Sequence, residues 1–575
     1  MKPKLAAILV AGFVLRTAYV LLQPRFDPTF ARPILDGAYY VAAAHTLAAG
    51  GAAGGVYYMP PLYPWVLSVF IRLFGDAWTL LFLVQQFAVV ASAGLLALVS
   101  RRFAGETAGL ATAALVLLYH PSLFFASRPL GESLALLLMA GALAIDGRGD
   151  DRSSAGAGFV WGLASLLRPN FLPVAPVWTV LAFARKNLRR GFLLCAALLV
   201  GILPALWHNY AATKHLVPVS ANGGVVFWLG NAPGALGVYT SVTGFTGSLQ
   251  TQQAEAIAEA SARAGRALDA VETDGYWWRE GIRARTAEPA GTIELLVRRA
   301  ILLVDSSEHG LDYAPALDAN PLRFAAPIPF AVILALAVFG CVACGWGRTG
   351  GFAVWSCVLV SAAAPMVFYV SSRHRLPMAF LLAVPAGAGF AALLGPRRPW
   401  PLAAGVCTLA VSFGIPSAAL MRAEKASALS VVSDVQRKSG ELDAAADTAR
   451  RATALDAGNA VAWFNRGVIE AARGHQADAE RAYRASLDAD PEMADAAANL
   501  AGILVATGRA SEAAPALEKA LAAWPRNAVG WTNLVVAYAA SGDMARARDA
   551  ARRAVASGVS LDPELVKTVE AADRR

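Results

Sequence analysis

Apolar residues follow two regimes along this 575-residue chain. Up to about residue 420 they come in long runs, at about 5–22, 78–99, 106–125, 130–146, 155–168, 171–184, 191–208, 325–345, 351–371, 376–394 and 401–420. A helix needs roughly 20 apolar residues to cross a bilayer, so these runs predict about eleven membrane spans. Some runs are short and need neighbouring polar residues to complete the crossing. A long polar stretch, 209–323, separates the earlier runs from the later ones. One further run, Leu62–Phe74, starts at Pro60 and Pro61 and is only about one half to two thirds of a span.

From about residue 426 to 561 a shorter beat takes over. Gly440, Gly474, Gly508 and Gly542 recur every 34 residues. Trp463, Gly467, Gly474, Ala479, Tyr483 and Pro491 alternate small and large residues, and Ala497, Ala501, Gly508, Ala513, Leu517 and Pro525 follow one period on. Trp531, Val535, Gly542 and Ala547 continue the pattern. Small residues let two helices approach and each proline stops the chain before the next hairpin. This period resembles the tetratricopeptide repeat. The expected fold is therefore all-α: a polytopic membrane helical bundle over 1–425, then an α-solenoid of about four repeats over 426–575. Asn465, Asn499 and Asn533 align between repeats, with Val431 in place of Asn in the first. They either grip the backbone of an extended peptide or are simply common at that position.

Composition agrees with this division. The chain is 57% hydrophobic and 16% charged, which suits a membrane protein with a soluble appendage. The net charge of +9 does not imply nucleic acid, because many of the basic residues sit in short loops between apolar runs. Leu5–Leu22 reads as a retained span, since no small-residue cleavage site follows it. Cys195, Cys341, Cys344, Cys357 and Cys407 lie in or beside spans and imply no disulfide framework. The Cys341/Cys344 pair has no nearby ligands for a metal.

Basic residues decide how Leu62–Phe74 is read. If it lies along the membrane surface and Lys2 and Lys4 are cytoplasmic, then Arg101, Arg102, Arg148, Arg152, Arg185, Lys186, Arg189, Arg190, Arg348, Arg397 and Arg398 all fall inside. If it crosses, Arg101, Arg102 and the Arg185–Arg190 group move outside. The surface-lying reading follows. It places the 209–323 loop outside the cytoplasm and, with an odd number of spans, the repeats outside as well. The expected location is a bacterial-type inner membrane. Arg128, Arg168, Arg373 and Arg375 then stand on the disfavoured side at span ends, which marks them as candidates for binding an anion.

In the first outside loop Asp36, Tyr40 and Ala44 share a helical face by their spacing. A carboxylate at the interface can act as a general base toward an acceptor hydroxyl; the alternative is a solvated helix cap. The loop as a whole, with Asp36, Tyr40, a Gly-rich turn, Pro60-Pro61-Leu62-Tyr63-Pro64 and a run ending Leu73-Phe74-Gly75, resembles the first loop of GT-C glycosyltransferases. The nearer likeness is to the protein O-mannosyltransferase and aminoarabinose-transferase branch, glycosyltransferase family 39. Pro121–Glu132, Gly162–Pro173, Trp207–Tyr239 and Ser371–Phe390 resemble further segments of that family.

The resemblance implies a polyprenyl-phosphate-linked sugar as donor, inverting transfer, and a site at the outer membrane face. By the match Asp36 would be the general base or an acceptor-orienting carboxylate, and Glu132 a second catalytic acidic residue. Arg373, Arg375 and Arg168 would hold the donor phosphate, to which guanidinium forks are suited. Tyr40 and Asn170 would position substrate. No cofactor is certain, and a divalent cation is left open. The acceptor would be a protein, glycan or lipid, with the repeats recruiting it if it is a protein. The eukaryotic mannosyltransferases carry an Asp-Glu pair in this loop, where the present chain has Asp36 and Gly37.

Other residues have plainer readings. Glu132 also suits the N-terminus of a helix starting at Ser133, and Arg373 and Arg375 suit snorkelling from a span end. His120 and His374 read as packing or hydrogen-bonding residues. Glu308, His309 and Asp312 form a polar cluster with no second histidine at metal-ligand spacing. Tyr276, Trp277 and Trp278 suit a loop helix seated at the interface. Two other functions fit the same outline, an oligosaccharide ligase or polymerase of the cell envelope and a non-enzymatic membrane scaffold with a peptide-binding arm.

Overall fold

The structure is a computed structural model and describes residues 2–52, 54–147, 150–184, 187–239, 249–311, 313–395 and 399–571. Asp312 and the basic residues Arg148, Arg185, Lys186, Arg397 and Arg398 lie outside the described residues. Among the described residues there is no strand, and one isolated bridge joins Tyr119 to Ile328. The chain divides into two compact units, Met1–Ser417 and Ala418–Arg575. The boundary precedes residue 425 because the first repeat helix runs unbroken from Ala418 to Lys438.

The first unit starts with α1 (Lys2–Leu22), α2 (Leu35–Ala48), α3 (Leu62–Phe74), α4 (Trp78–Leu117), α5 (His120–Phe125) and α6 (Glu132–Asp146). It continues with α7 (Asp151–Ser165), α8 (Val174–Ala184) and α9 (Leu188–Thr213). The large loop holds α10 (Gly223–Asn231), α11 (Leu249–Ala264), α12 (Ala270–Ala287) and α13 (Pro289–Val304). The last four helices are α14 (Phe330–Cys344), α15 (Gly351–Val367), α16 (Ser372–Leu393) and α17 (Pro399–Gly414).

Each apolar run is helical over most of its length. Among the described residues, four helices are by themselves long and apolar enough to cross a membrane: Lys2–Arg25, which is α1 with its following turn, and α4, α9 and α16. Helices such as α6, α14 and α15 are 15, 15 and 17 residues long and fall short of a full crossing alone. The 40-residue α4 contains the 78–99 run and most of the 106–125 run, which continues into α5. They meet at Gly105, whose φ of 85° is open to glycine and breaks the helix beside Arg101 and Arg102.

Helix α16 is the axis of the bundle, packed against α4, α14 and α15 and buried along most of its length. Helices α7 and α9 approach until their backbones touch. A Cβ on Gly201 would lie 2.7 Å from the Phe159 carbonyl and 2.9 Å from the Gly162 Cα. Small residues permit this contact, which dispersion then stabilises. Gly162→Leu is expected to destabilise the protein by ~1–3 kcal/mol through overpacking, read as a lower thermal midpoint in detergent. An unchanged midpoint would show that α7 and α9 are not in contact.

Helix α3 packs against α2, buries Tyr63, Pro64, Leu67 and Ser68 and leaves Val66, Val69, Leu73 and Phe74 exposed. Arg72 donates to the Ala48 carbonyl at 3.0 Å and to that of Leu47, tying α3 to the C-terminus of α2. In the large loop, α10, α11 and α12 enclose a small core of Val225, Trp228, Leu229, Ala256, Ala260 and Trp277. Trp277 is fully buried and its indole N–H donates to the Ala256 carbonyl, while Trp278 stacks on Phe227 at 4.4 Å. This corrects the expectation that the aromatic run seats the loop at the membrane interface. It is consumed by the loop's own core because α10 and α11 fold back over it.

In the second unit α18 (Ala418–Lys438), α19 (Leu442–Leu455), α20 (Ala460–Ala472) and α21 (Gln476–Ala489) form the first two hairpins. They are followed by α22 (Ala494–Ala506), α23 (Ala514–Ala523), α24 (Ala528–Ala540), α25 (Met544–Ala556) and α26 (Pro563–Ala571). The four periodic glycines have φ of 79°, 83°, 75° and 83° and make the left-handed turn inside each hairpin. The aligned asparagines tie helices together. Asn465 Nδ2 donates to Ser430 Oγ at 2.8 Å, Asn499 Nδ2 to Tyr483 Oη at 3.3 Å and Asn533 Nδ2 to the Ala498 carbonyl at 3.1 Å.

Candidate active site

Four charged residues from four separate elements meet in the first unit. Asp36 lies in the first turn of α2, directly after Leu35, whose φ of 45° places a branched residue in the left-handed region. The Tyr313 hydroxyl accepts the Ile34 N–H at 3.2 Å and steadies this turn. The same hydroxyl would lie 2.8 Å from a Cβ on Gly37, and Pro129 Cγ would lie 3.1 Å away. Gly37 therefore leaves room for the Tyr313 hydroxyl, which a second carboxylate at this position, as in the Asp-Glu pair, would have to displace.

Glu132 supplies the second carboxylate from a different element. It opens α6 and is buried at 3% exposure, where the helix N-terminus favours its charge. Arg373, in the first turn of α16, joins the two acids. Its Nε donates to Glu132 Oε1 and its Nη1 to Asp36 Oδ2, each at 2.5 Å. Such charge-assisted bonds are short and strong. Arg168, just before the 3-10 turn Pro169–Phe171, donates through Nη1 to the Arg373 carbonyl at 3.2 Å. The Glu132 Oε2 atom is buried with no hydrogen-bond partner. Asp36 is the most open of the acids and arginine in this ion pairing, with its side chain 19% exposed.

Tyr40, one turn along α2 from Asp36, is buried with its ring edge-on to Tyr63 at 5.4 Å. Asn170 is half-buried within the 3-10 turn after Arg168.

Arg375 is directed elsewhere, because residues two apart on a helix point to different sides. Its Nη1 donates to the Asp305 carbonyl at 2.5 Å, and its Nη2 to the Ser307 carbonyl at 2.6 Å and to Glu308 Oε2 at 2.8 Å. The guanidinium lies 4.5 Å over the Phe330 ring, and Tyr119 donates to Glu308 Oε1 at 3.3 Å. Burial raises the Asp305 carboxyl, but hydrogen bonds from His309 and the Ser307 N–H outweigh it and hold the group below the ordinary carboxylate range. Arg375 thus clasps the segment after α13 to the start of α16. Arg128 pairs with Asp27 at 2.5 Å. His120 bonds Asp318 at 2.8 Å and His374 bonds Ser371 Oγ at 3.2 Å.

Sequence reasoning missed several participants. Tyr313 and Tyr119 carried no signal beyond their type. Arg16 is fully buried and is met by Gln86 Oε1 and Ser122 Oγ, both at 2.6 Å, and by the Leu117 carbonyl at 3.1 Å. A lone arginine within the 5–22 run was the signal for it. Among the described residues, the group close enough to share a cation is Glu470, His475 and Asp478 in a repeat turn, where Arg473 already pairs with Glu470 at 3.0 Å. Cys341 and Cys344 are free thiols.

Residues 59–208 match the family model described as dolichyl-phosphate-mannose-protein mannosyltransferase. Residues 433–494, 470–528 and 505–571 match tetratricopeptide repeat models. The mannosyltransferase match includes Glu132, Arg168 and Asn170, and leaves Asp36, Arg373 and Arg375 outside it. No curated protein gives a match. Among solved structures, MamA from Desulfovibrio magneticus RS-1 is 19% identical over 26% of this chain and 86% of its own, with a TM-score of 0.23. The apo oligosaccharyltransferase of Archaeoglobus fulgidus is 13% identical over 71% of this chain and 54% of its own, with a TM-score of 0.40. The archaeal oligosaccharyltransferase AglB from Archaeoglobus fulgidus, in complex with an inhibitory peptide and a dolichol-phosphate, gives 14%, 71%, 54% and 0.39. The chain accordingly joins a region of apolar helices, of which residues 59–208 are similar to the dolichyl-phosphate-mannose-protein mannosyltransferases, a glycosyltransferase family, to a C-terminal array of tetratricopeptide repeats.

Proposed function

We propose that this protein moves a sugar from a polyprenyl-phosphate donor to an acceptor hydroxyl outside the cytoplasm, with inversion at the anomeric carbon. The convergence of Asp36, Glu132, Arg168 and Arg373 carries this reading. The acceptor oxygen attacks the anomeric carbon, its proton passes to Asp36, and the bond from the sugar to the phosphate oxygen breaks. Arg373 and Arg168 balance the charge that builds on the leaving polyprenyl phosphate. Glu132 orients Arg373, and its buried, unpartnered Oε2 is left to accept a hydrogen bond from the sugar. Arg375, committed to Glu308 and two carbonyls, steadies the helix turn that presents Arg373. Tyr40, one turn from Asp36, and Asn170, two residues after Arg168, are assigned to positioning the substrate.

Asp36 and the incoming phosphate compete for the same guanidinium. Donor binding therefore draws Arg373 away from Asp36 and leaves the carboxylate to the acceptor, so donor binds first. The test is transfer from a radiolabelled polyprenyl-phosphate sugar in membranes carrying the full chain. Transfer that persists in Asp36→Asn would remove Asp36 from the reaction.

The repeats are proposed to recruit a protein acceptor. Asn465, Asn499 and Asn533 would offer amide oxygens to the N–H groups of an extended peptide, since their amide nitrogens are engaged within the array. This needs the repeats on the outer side, as the charge distribution favours. Alkaline phosphatase fused after Arg575 is then expected to be active. An inactive fusion at normal expression would put the repeats in the cytoplasm and end the recruitment argument.

A further inference from the structure

Helix α13 carries an apolar face on the outside of its unit. Ile293, Leu296, Val297 and Ile301 are 64%, 41%, 53% and 44% exposed. At 100° per residue they fall in one sector of the helix. The opposite sector, Leu295, Arg299, Leu302 and Leu303, is buried. The ion pair of Arg298 with Glu294, at 3.0 Å, runs along one edge of the exposed sector. A loop helix bathed in water carries polar residues on its outer side, and contiguous apolar side chains there mark a contact surface.

The depth of the helix identifies what it touches. Arg299, on the buried face, donates to the carbonyls of Gly230, Met366 and Val367 at 2.5, 2.8 and 3.1 Å. Val367 is the last residue of α15, and the membrane-length helix α16 starts soon after at Ser372. Arg299 therefore pins α13 at the level where apolar helices end and polar loop begins. Phe324, just ahead of α14, is also strongly exposed. An amphipathic helix held at that level buries its apolar side in the boundary between headgroups and acyl chains.

We propose that α13 lies flat in the membrane interface on the side where α16 begins, with Ile293, Leu296, Val297 and Ile301 among lipid acyl chains and Glu294 and Arg298 at the headgroups. The lipid surface moors the large loop one helix beyond the aromatic run expected to do so. It also steadies the 305–308 segment that Arg375 clasps. This holds whatever the protein catalyses, since it rests on the membrane and not on the sugar donor.

The test uses the full chain in proteoliposomes, with the five native cysteines replaced and a nitroxide attached at Val297→Cys, Ile301→Cys or Glu294→Cys. Labels at Val297→Cys and Ile301→Cys are expected to collide with oxygen several-fold more than with a water-soluble nickel chelate, relative to Glu294→Cys. Should either variant fail to reconstitute, Ile293→Cys reads the same face. Nickel access equal to that at Glu294→Cys would place the face in water and overturn the proposal. Loss of access to both reagents would show that protein covers it, and would overturn the proposal as well.

Discussion

Asp36→Asn is expected to lower sugar transfer by about 10²–10⁴-fold, the usual contribution of a positioned general base. The amide keeps the shape of the side chain but cannot take the acceptor's proton. The same substitution is expected to tighten binding of a polyprenyl phosphate several-fold. In the resting protein Arg373 is held by Asp36 Oδ2 at 2.5 Å, so a phosphate must displace a carboxylate. A ligand that has to break such a contact binds with reduced apparent affinity, and removing the competitor restores it. Transfer and binding should therefore move in opposite directions. A fall in both would make Asp36 a structural residue, and unchanged affinity would mean that phosphate does not meet Arg373.

Arg373→Ala is expected to cost more than catalysis. Arg373 and Glu132 are 8% and 4% exposed at their side chains, and Asp36 is 19% exposed. Removing one partner of a buried ion pair typically costs ~3–5 kcal/mol, because the other charge stays behind without compensation. Here two carboxylates would be left facing each other. The variant should show a markedly lower thermal midpoint in detergent together with loss of transfer. The double variant Arg373→Ala, Glu132→Gln should regain much of the midpoint but none of the activity. If Arg373→Ala is as stable as the parent, the acids and the arginine are not paired.

The contrast between these two arginine-centred clusters shows what was legible beforehand. The dibasic pattern at 373 and 375 marks the start of an apolar run, and the repeat period and apolar runs are visible by inspection. That Arg373 goes to Asp36 and Glu132 while Arg375 goes to Glu308 is not. The bond from Arg373 to Asp36 closes 337 residues of chain. Likewise Gly37 looks like a departure from an acidic pair until Tyr313 is seen occupying the space beside it.

What the sequence determined by itself is everything set by neighbours in the chain. It specifies the helical runs, the helix over Leu62–Phe74 and the 34-residue beat of glycines in the repeats, because backbone conformation and amphipathic period are local properties. Only the tertiary structure decided which charges neutralise each other and which apolar faces are covered. The Trp277 indole disappears into the loop core while Val297 and Ile301 stay exposed, although all three are apolar side chains in the same polar stretch of sequence. Burial and ion pairing depend on which distant elements close over a side chain, and no periodicity along the chain carries that information.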